Sequence, residues 1–361
     1  MKLYIRHLLF LLVILAGCNR SSFIQVKPTN PELDYVGRIN FENPDSVEMY
    51  WSGSSVSMNF KGTSVSATLH DENGLNYFNI VVDGQPEFPL KLDKGEKTYL
   101  LADSLALDTE HSISLIKRNE WHTGSTQFAG YTIVNGEVLK ASEKNGRLIE
   151  FFGNSITAGY AIENNTGGDS PDSTFTNNYK SYAAITARHF KADLHCTVRS
   201  GIGIQVSWHG VIMPEIYNRL NPADATSLWD FTQKVPDIVV INLMQNDSWL
   251  VNLPDHEAFK YRFGDQKPSE EKIISSYADF VSKIRTAYPK SYIICALGSM
   301  DATRAGSPWP GYVKSAVDAL EDDKILTHFF PYINKNGHPR VDDNKNMAAS
   351  LIAFIEKNTD W

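Results

Sequence analysis

Apolar and polar positions follow two different periods along this 361-residue chain. From about residue 32 to 142 they alternate one by one, as half-buried strands require. Val56, Met58 and Phe60 alternate with Ser57 and Asn59, and Val65, Ala67 and Leu69 with Ser64, Ser66 and Thr68. Tyr77 to Val82 runs into Asp83-Gly84. Ser112 to Ile116 alternates again, and Gln127 to Val134 is followed by Asn135-Gly136. Asp-Gly and Asn-Gly pairs between such runs are hairpin-turn signals. The stretch shows no helical period, so it predicts an antiparallel β-sandwich of the jelly-roll kind.

From about residue 145 to 361 short apolar runs alternate with helical periods. Leu148 to Phe152, His195 to Val198, Pro236 to Leu243, Tyr292 to Leu297 and Ile325 to Phe329 read as strands. The third is apolar almost throughout, which suits a parallel sheet buried on both faces. Tyr179 to Phe190, Ser269 to Tyr288, Tyr312 to Leu320 and Asn344 to Lys357 read as helices. The second of these is the clearest. Ser269 can cap it, Glu270 and Glu271 suit its positive end, and Ile273, Tyr277, Phe280 and Ile284 form its apolar stripe. This alternation predicts an α/β domain with helices on both faces of a parallel sheet, and a ligand site at the carboxyl ends of its strands. The poorly patterned stretches 160–178 and 245–268 each follow a strand end and are expected to wall that site.

The first residues change the picture of where the chain resides. Lys2 and Arg6 precede an unbroken apolar run from Leu8 to Leu15, followed by Leu15-Ala16-Gly17-Cys18. The run is too short for a stable membrane span and fits a signal-peptide core. The last four residues resemble the lipobox of bacterial lipoproteins, which implies residues 1–17 as signal peptide, lipidation of Cys18 and a membrane anchor that does not span. Residues 18–31 read as a tether, 32–142 as the sandwich and 145–361 as the α/β domain. The expected location is the bacterial cell envelope, periplasmic or at the cell surface. Removing Lys2 and Arg6 takes the formal charge from −8 to −10. Such an acidic body argues against nucleic acid and anionic membrane surfaces as partners. Cys196 and Cys295 sit in apolar runs and read as buried thiols, not a disulfide or metal set.

The candidate chemistry centres on Gly153-Asn154-Ser155-Ile156-Thr157-Ala158-Gly159, directly after the first strand of the α/β region. A serine there can present its hydroxyl outward, but needs a base and oxyanion donors to act as a nucleophile. His338, in Asn336-Gly337-His338-Pro339 before the last helix, is the candidate base; His209 and His256 are weaker competitors. Ser200-Gly201-Ile202-Gly203 follows the second strand and Met244-Gln245-Asn246-Asp247 the third. They offer a free glycine N–H at Gly201 and a side-chain amide at Asn246.

In this order, Gly-x-Ser-x-x-x-Gly, Gly, Asn-Asp and His-Pro resemble the SGNH branch of the GDSL hydrolases. With a sandwich in front, the chain is similar to carbohydrate esterase family 2. The resemblance implies Ser155 as nucleophile, His338 as base, and Ser155 N–H, Gly201 and Asn246 as the oxyanion hole. It further implies release of acetyl groups from polysaccharides such as xylan or glucomannan, with no metal or other cofactor; a monomer is expected. Trp309, in Ser307-Pro308-Trp309-Pro310, is expected to bind the sugar, ahead of Trp208 and Trp249. Two departures stand out. Lys335 and Asn336 occupy the positions where the family places an aspartate for the histidine, so a Ser–His dyad braced by a backbone carbonyl is expected, Asp342 and Asp343 being less suited. Met244-Gln245 stands where Gly-Thr is usual. Rival readings are a lipid-directed GDSL lipase or thioesterase, which would prefer long acyl chains, and a non-catalytic carbohydrate-binding lipoprotein, which would bind sugar without turnover.

Overall fold

The computed structural model describes residues 22–144 and 146–361. The expected signal peptide and Cys18 lie outside the described residues. The alternating region folds into two facing six-stranded antiparallel sheets. One runs Ile39–Asn40, Val47–Met49, Thr126–Val134, Ser64–Asp71, Gly95–Ala102, with Phe23–Val26 also on Thr126–Val134; the other runs Glu137–Val138, Ser55–Lys61, His111–Lys117, Tyr77–Val82, Phe88–Lys91, with Asp34–Val36 also on Ser55–Lys61. Val56, Met58, Phe60, Val65, Ala67 and Leu69 all point into the core between them, as the alternation requires. The sandwich begins earlier than its sequence suggests. Phe23–Val26, within the expected tether, pairs antiparallel with Thr126–Val134 and buries Val26. Four residues before a proline carry too short a period to register as a strand.

The second region forms a five-stranded parallel sheet. Its spatial order is Asp193–Val198, Leu148–Gly153, Ile238–Asn242, Tyr292–Leu297, Ile325–Phe329. Numbered along the chain this is 2-1-3-4-5, the flavodoxin-like order, whose switch point lies between the first and third strands. Alternate residues of each strand feed two cores. Phe152, Val239, Ile241, Ile293 and Cys295 pack with the helices Glu270–Ala287 and Trp309–Asp318. Ile149, Phe151, Val198, Val240 and Ile294 pack with Tyr182–His189 and Val341–Asn358. Ser269 caps Glu270–Ala287 as expected, its hydroxyl accepting the Lys272 N–H at 3.2 Å. Cys196 and Cys295 are buried and free, and burial pushes each thiol up to about 12.

The two domains share a contact. Tyr50 and Trp51 of the sandwich join the core of the parallel sheet, and Trp51 Nε1 donates to the Leu220 carbonyl at 2.9 Å. Arg38 reaches Glu150, within the Leu148–Gly153 strand, at 2.8 Å, with side-chain exposures of 1% and 0%. Its other amino group donates to the Tyr217 and Arg219 carbonyls, and Tyr288 donates its hydroxyl to Glu150.

Candidate active site

Ser155 opens a four-residue helix, Ser155–Ala158, just beyond the carboxyl end of Leu148–Gly153 and at the switch point. Asn154 caps that helix by accepting the Ile156 N–H at 3.0 Å. Being first in the helix, the Ser155 N–H has no intrahelical acceptor and is available to a ligand. His338 arrives from the loop before Val341–Asn358, and its Nε2 lies 2.7 Å from Ser155 Oγ. The long terminal helix is tied back to the domain where Tyr182 N–H donates to Asn344 Oδ1 at 2.9 Å.

The expected dyad is corrected at this point. His338 Nδ1 lies 2.6 Å from Asp169 Oδ2, and the same carboxylate accepts the His338 backbone N–H at 2.9 Å. An aspartate from the 160–178 loop, not a backbone carbonyl, braces the ring. With a carboxylate on Nδ1, that nitrogen carries the proton and Nε2 is free to accept from the serine. Burial opposes ionisation of Asp169, but the hydrogen bonds and charge of His338 and the Arg340 guanidinium outweigh it and hold the carboxyl well below the usual range. Arg340 pairs with Asp169 at 3.1 Å and donates to the Gly167 and Gly168 carbonyls. Gly337 is required beside it: φ is +96°, and a β-carbon there would lie 2.8 Å from Asp169 Oδ1. The other acids are occupied elsewhere. Asp343 accepts the Arg340 N–H at 2.8 Å and pairs with Lys335, and Asp342 pairs with Lys345. Lys335 is thus neutralised away from the imidazole. The one sequence signal for Asp169 was the polar loop after the first strand, which marked a site wall without singling out a residue.

Gly201 and Asn246 line the same cavity as Ser155 and His338, with Tyr160, Asp169, Ser200, Trp208 and Trp249; its volume is about 330 Å³. Gly201 sits at φ +78°, and among the described residues its N–H has no partner within the protein. Trp208 Nε1 donates to Asn246 Oδ1 at 3.1 Å, which orients the amide so that Nδ2 is the donor. One Nδ2 hydrogen goes to the Ile202 carbonyl at 2.8 Å. The second remains for a ligand. Asp247 serves structure: buried, it accepts the N–H groups of Ile204, Gln205 and Val206 and so shapes the Gly201 turn. Burial raises its pKa against those bonds.

The unusual Met244-Gln245 also finds its reason. Met244 adopts a left-handed φ of +75°, where glycine would be unstrained, and its side chain is fully buried. Gln245 donates to Asp301 Oδ1 at 2.8 Å and accepts the Ala302 N–H at 3.2 Å. Asp301 in turn holds Trp249 Nε1 at 2.9 Å. The bulkier residue therefore does not narrow the site. It ties the donor turn to the loop after the fourth strand.

Trp309 follows the fourth strand as expected but is largely buried. It begins the helix Trp309–Asp318, packs edge-on against Tyr312 and is only 6% exposed. It lines a second cavity of about 580 Å³ with Asp301, Arg304, Trp208 and Trp249. Flanking prolines start the helix and commit the ring to the core. Trp208, at 42% exposed, and Trp249 line both cavities, so the two meet there. The competing histidines are spent elsewhere: His209 donates to the Ser200 carbonyl at 2.9 Å, and His256 caps Glu257–Phe263 by accepting the Ala258 N–H. Burial pushes His209 down to about 4.

Known proteins share this fold. The family model described as carbohydrate esterase 2 N-terminal matches residues 35–142. A family two carbohydrate esterase from Clostridium thermocellum, solved with cellohexaose, superposes with a TM-score of 0.80 at 31% identity, covering 90% of this chain and 98% of that one. The chain belongs to carbohydrate esterase family 2. Members of this family are carboxylic ester hydrolases with an SGNH-type α/β domain. The cellulase/esterase CelE of Acetivibrio thermocellus is 33% identical over 347 residues, 92% of this chain; the chain spans 40% of that relative's length. An acetylxylan esterase / glucomannan deacetylase of Cellvibrio japonicus is 24% identical over 374 residues, covering 98% of this chain and 99% of that protein.

Proposed function

We propose that this family member is a serine esterase that removes O-acetyl groups from plant polysaccharide such as xylan or glucomannan. The observation that carries the reading is the unbroken relay Asp169–His338–Ser155, ending in a cavity lined by Gly201 and Asn246. Ser155 Oγ attacks the acetyl carbonyl while His338 Nε2 takes its proton. The carbonyl oxygen gains the negative charge and is held by the Ser155 and Gly201 N–H groups and Asn246 Nδ2. His338 returns the proton to the departing sugar oxygen, leaving acetyl on Ser155. Water, deprotonated by the same nitrogen, then releases acetate and restores the serine. Asp169 keeps the ring in the required tautomer and stabilises its charged form. The junction at Trp208 and Trp249 offers an aromatic face for a pyranose next to the reacting carbon. Substrate specificity for acetylated polysaccharide is suggested by the name of the Cellvibrio japonicus relative.

The proposal extends to an envelope protein anchored through Cys18, working as a monomer, with the sandwich running from Phe23 to about residue 142 and the esterase domain over 145–361. The non-catalytic rival rests on a missing acid and on Met244-Gln245; Asp169 supplies an acid, and Gln245 braces the donor turn through Asp301. The test is acetate release from acetylated xylan and from nitrophenyl acetate by residues 20–361. Ser155→Ala is expected to abolish release. Asp169→Asn, which keeps the shape but holds the wrong tautomer, is expected to lower kcat about 10²–10⁴-fold. Release by Ser155→Ala at the wild-type rate, or binding of xylan without any turnover, contradicts the reading.

A further inference from the structure

Residues 118–121 follow the sandwich strand His111–Lys117 and run along the end of the sandwich nearest the active site. Arg118, Asn119 and Glu120 are 3%, 1% and 2% exposed, an unusual burial for three adjacent polar side chains. Each of them reaches into a site-forming loop of the other domain. Arg118 donates to the Thr174 carbonyl at 2.9 Å and pairs with Glu163, and Asn119 donates to the Ser173 carbonyl at 2.7 Å. These bonds fasten the loop that carries Asp169. Glu120 goes to the other side of the site, where its two carboxylate oxygens accept the Ser200 N–H and, at 2.5 Å, the Ser200 hydroxyl.

Ser200 is the residue whose carbonyl shares a peptide plane with the Gly201 N–H. In a trans peptide the C=O and N–H point in opposite directions, so whatever fixes the carbonyl aims the amide. His209 Nε2 fixes the Ser200 carbonyl at 2.9 Å, and Glu120 fixes the amide and side chain on the other flank of the same residue. Gly201 itself, at φ +78°, has no side chain to hold the turn. A carboxylate suits this task because it is planar, has an oxygen for each donor and forms strong charge-assisted bonds. Its charge does not favour an oxyanion nearby, so its value lies in placement.

We propose that Glu120, supplied by the sandwich, is a positioning residue that aims the Gly201 N–H at the oxyanion. The sandwich is thereby a working part of the active site and not only a buttress or a sugar-binding module. The inference rests on the esterase reading and on Gly201 as an oxyanion donor.

The test uses the full two-domain chain. Glu120→Gln keeps the shape but replaces one acceptor oxygen with an amide donor that faces Ser200. Expected are a kcat for nitrophenyl acetate about 10–100-fold lower, a KM within about twofold, and weaker inhibition by methylboronic acid by a similar factor, because that tetrahedral adduct depends on the same donors. Ser200→Ala, which removes one bond and leaves the other, provides a milder second variant with an expected loss of a few-fold, about 3–10. The inference is overturned if both variants keep the wild-type kcat and boronate affinity. It is equally overturned if they lose kcat, KM and melting temperature together, which a purely structural role would produce. Wild-type turnover that disappears in Ser155→Ala beside an unaffected Glu120→Gln sinks the inference and leaves the esterase reading standing; a wild-type chain without turnover sinks both.

Discussion

Of the arginine–carboxylate pairs that join distant segments of this molecule, Arg38–Glu150 and Arg340–Asp169 differ most instructively in water. Arg38–Glu150 is dry, with both side chains almost fully buried, and three rings, Phe152, Trp229 and Phe231, lie within 5.8 Å of the guanidinium. Arg340–Asp169 sits in the wall of an open cavity, with side-chain exposures of 16% and 29%. The first joins the sandwich to a buried strand of the parallel sheet. The second holds an acid against an imidazole. In the dry pair each charge is intolerable without the other, so the contact behaves as architecture. In the wet pair water can replace a partner, so the contact adjusts a geometry and contributes little to stability.

Breaking the dry pair is expected to have the largest effect. Arg38→Ala strands the Glu150 carboxylate inside the sheet and should lower unfolding free energy by about 3–5 kcal/mol in urea titration. The fraction that remains folded should keep its kcat, since Arg38 touches no residue of the cavity. Replacing both members with apolar residues, Arg38→Met with Glu150→Leu, should recover most of that loss. Breaking the wet pair reverses the pattern. Arg340→Ala should cost under about 1 kcal/mol in stability, while releasing the Gly167 and Gly168 carbonyls and lowering kcat about tenfold as Asp169 loses its brace.

Another buried cation sharpens the comparison because it bonds an amide and not a carboxylate. Lys117 is fully buried and donates to Asn76 Oδ1; burial pushes it down to about 7 from 10.5, with Asp71 and Glu120 pulling the other way. Between those two values the unfolded chain holds a proton that the folded chain has released. Stability should therefore rise with pH from about 7 to about 10, and the slope should vanish below 7, where both states are protonated. Lys117→Met should flatten that window in melting temperatures measured against pH. If the slope persists, Lys117 is not the group responsible. Asp169 acts with the same sign in a lower window: its carboxyl is held below the usual range, so the stability from its bonds is fully present above the ordinary aspartate pKa and is lost as pH falls through the lower folded value.

These contrasts also explain what could be read from residues alone. Ser155, Gly201, Asn246 and His338 each lie on a short connection between a strand and a helix, and such connections are set by local sequence. Their convergence at the carboxyl ends of a parallel sheet follows from topology. Asp169 could not be found this way. It is 14 residues beyond Ser155, on a loop whose path depends on Arg340, Arg118 and Asn119, all far away in sequence. Strand alternation revealed the sandwich core, but not that Trp51 would leave it for the core of the other domain, because an apolar residue carries no label for which core it enters. Trp309 shows the same limit. Prolines beside a tryptophan mark a rigid turn equally well whether the ring faces a ligand or the interior, and here the helix it starts turns it inward.

The Ser155–His338 hydrogen bond joins residues 183 positions apart. Closing a loop that long is slow, because its entropy must be lost before the contact returns anything. During synthesis the sandwich is complete and the nucleophile strand has already emerged while His338 has yet to be added. The imidazole can reach the serine only once the terminal helix has docked on Tyr182–His189. Activity is therefore expected to be the last property gained in refolding, lagging behind the recovery of tryptophan fluorescence.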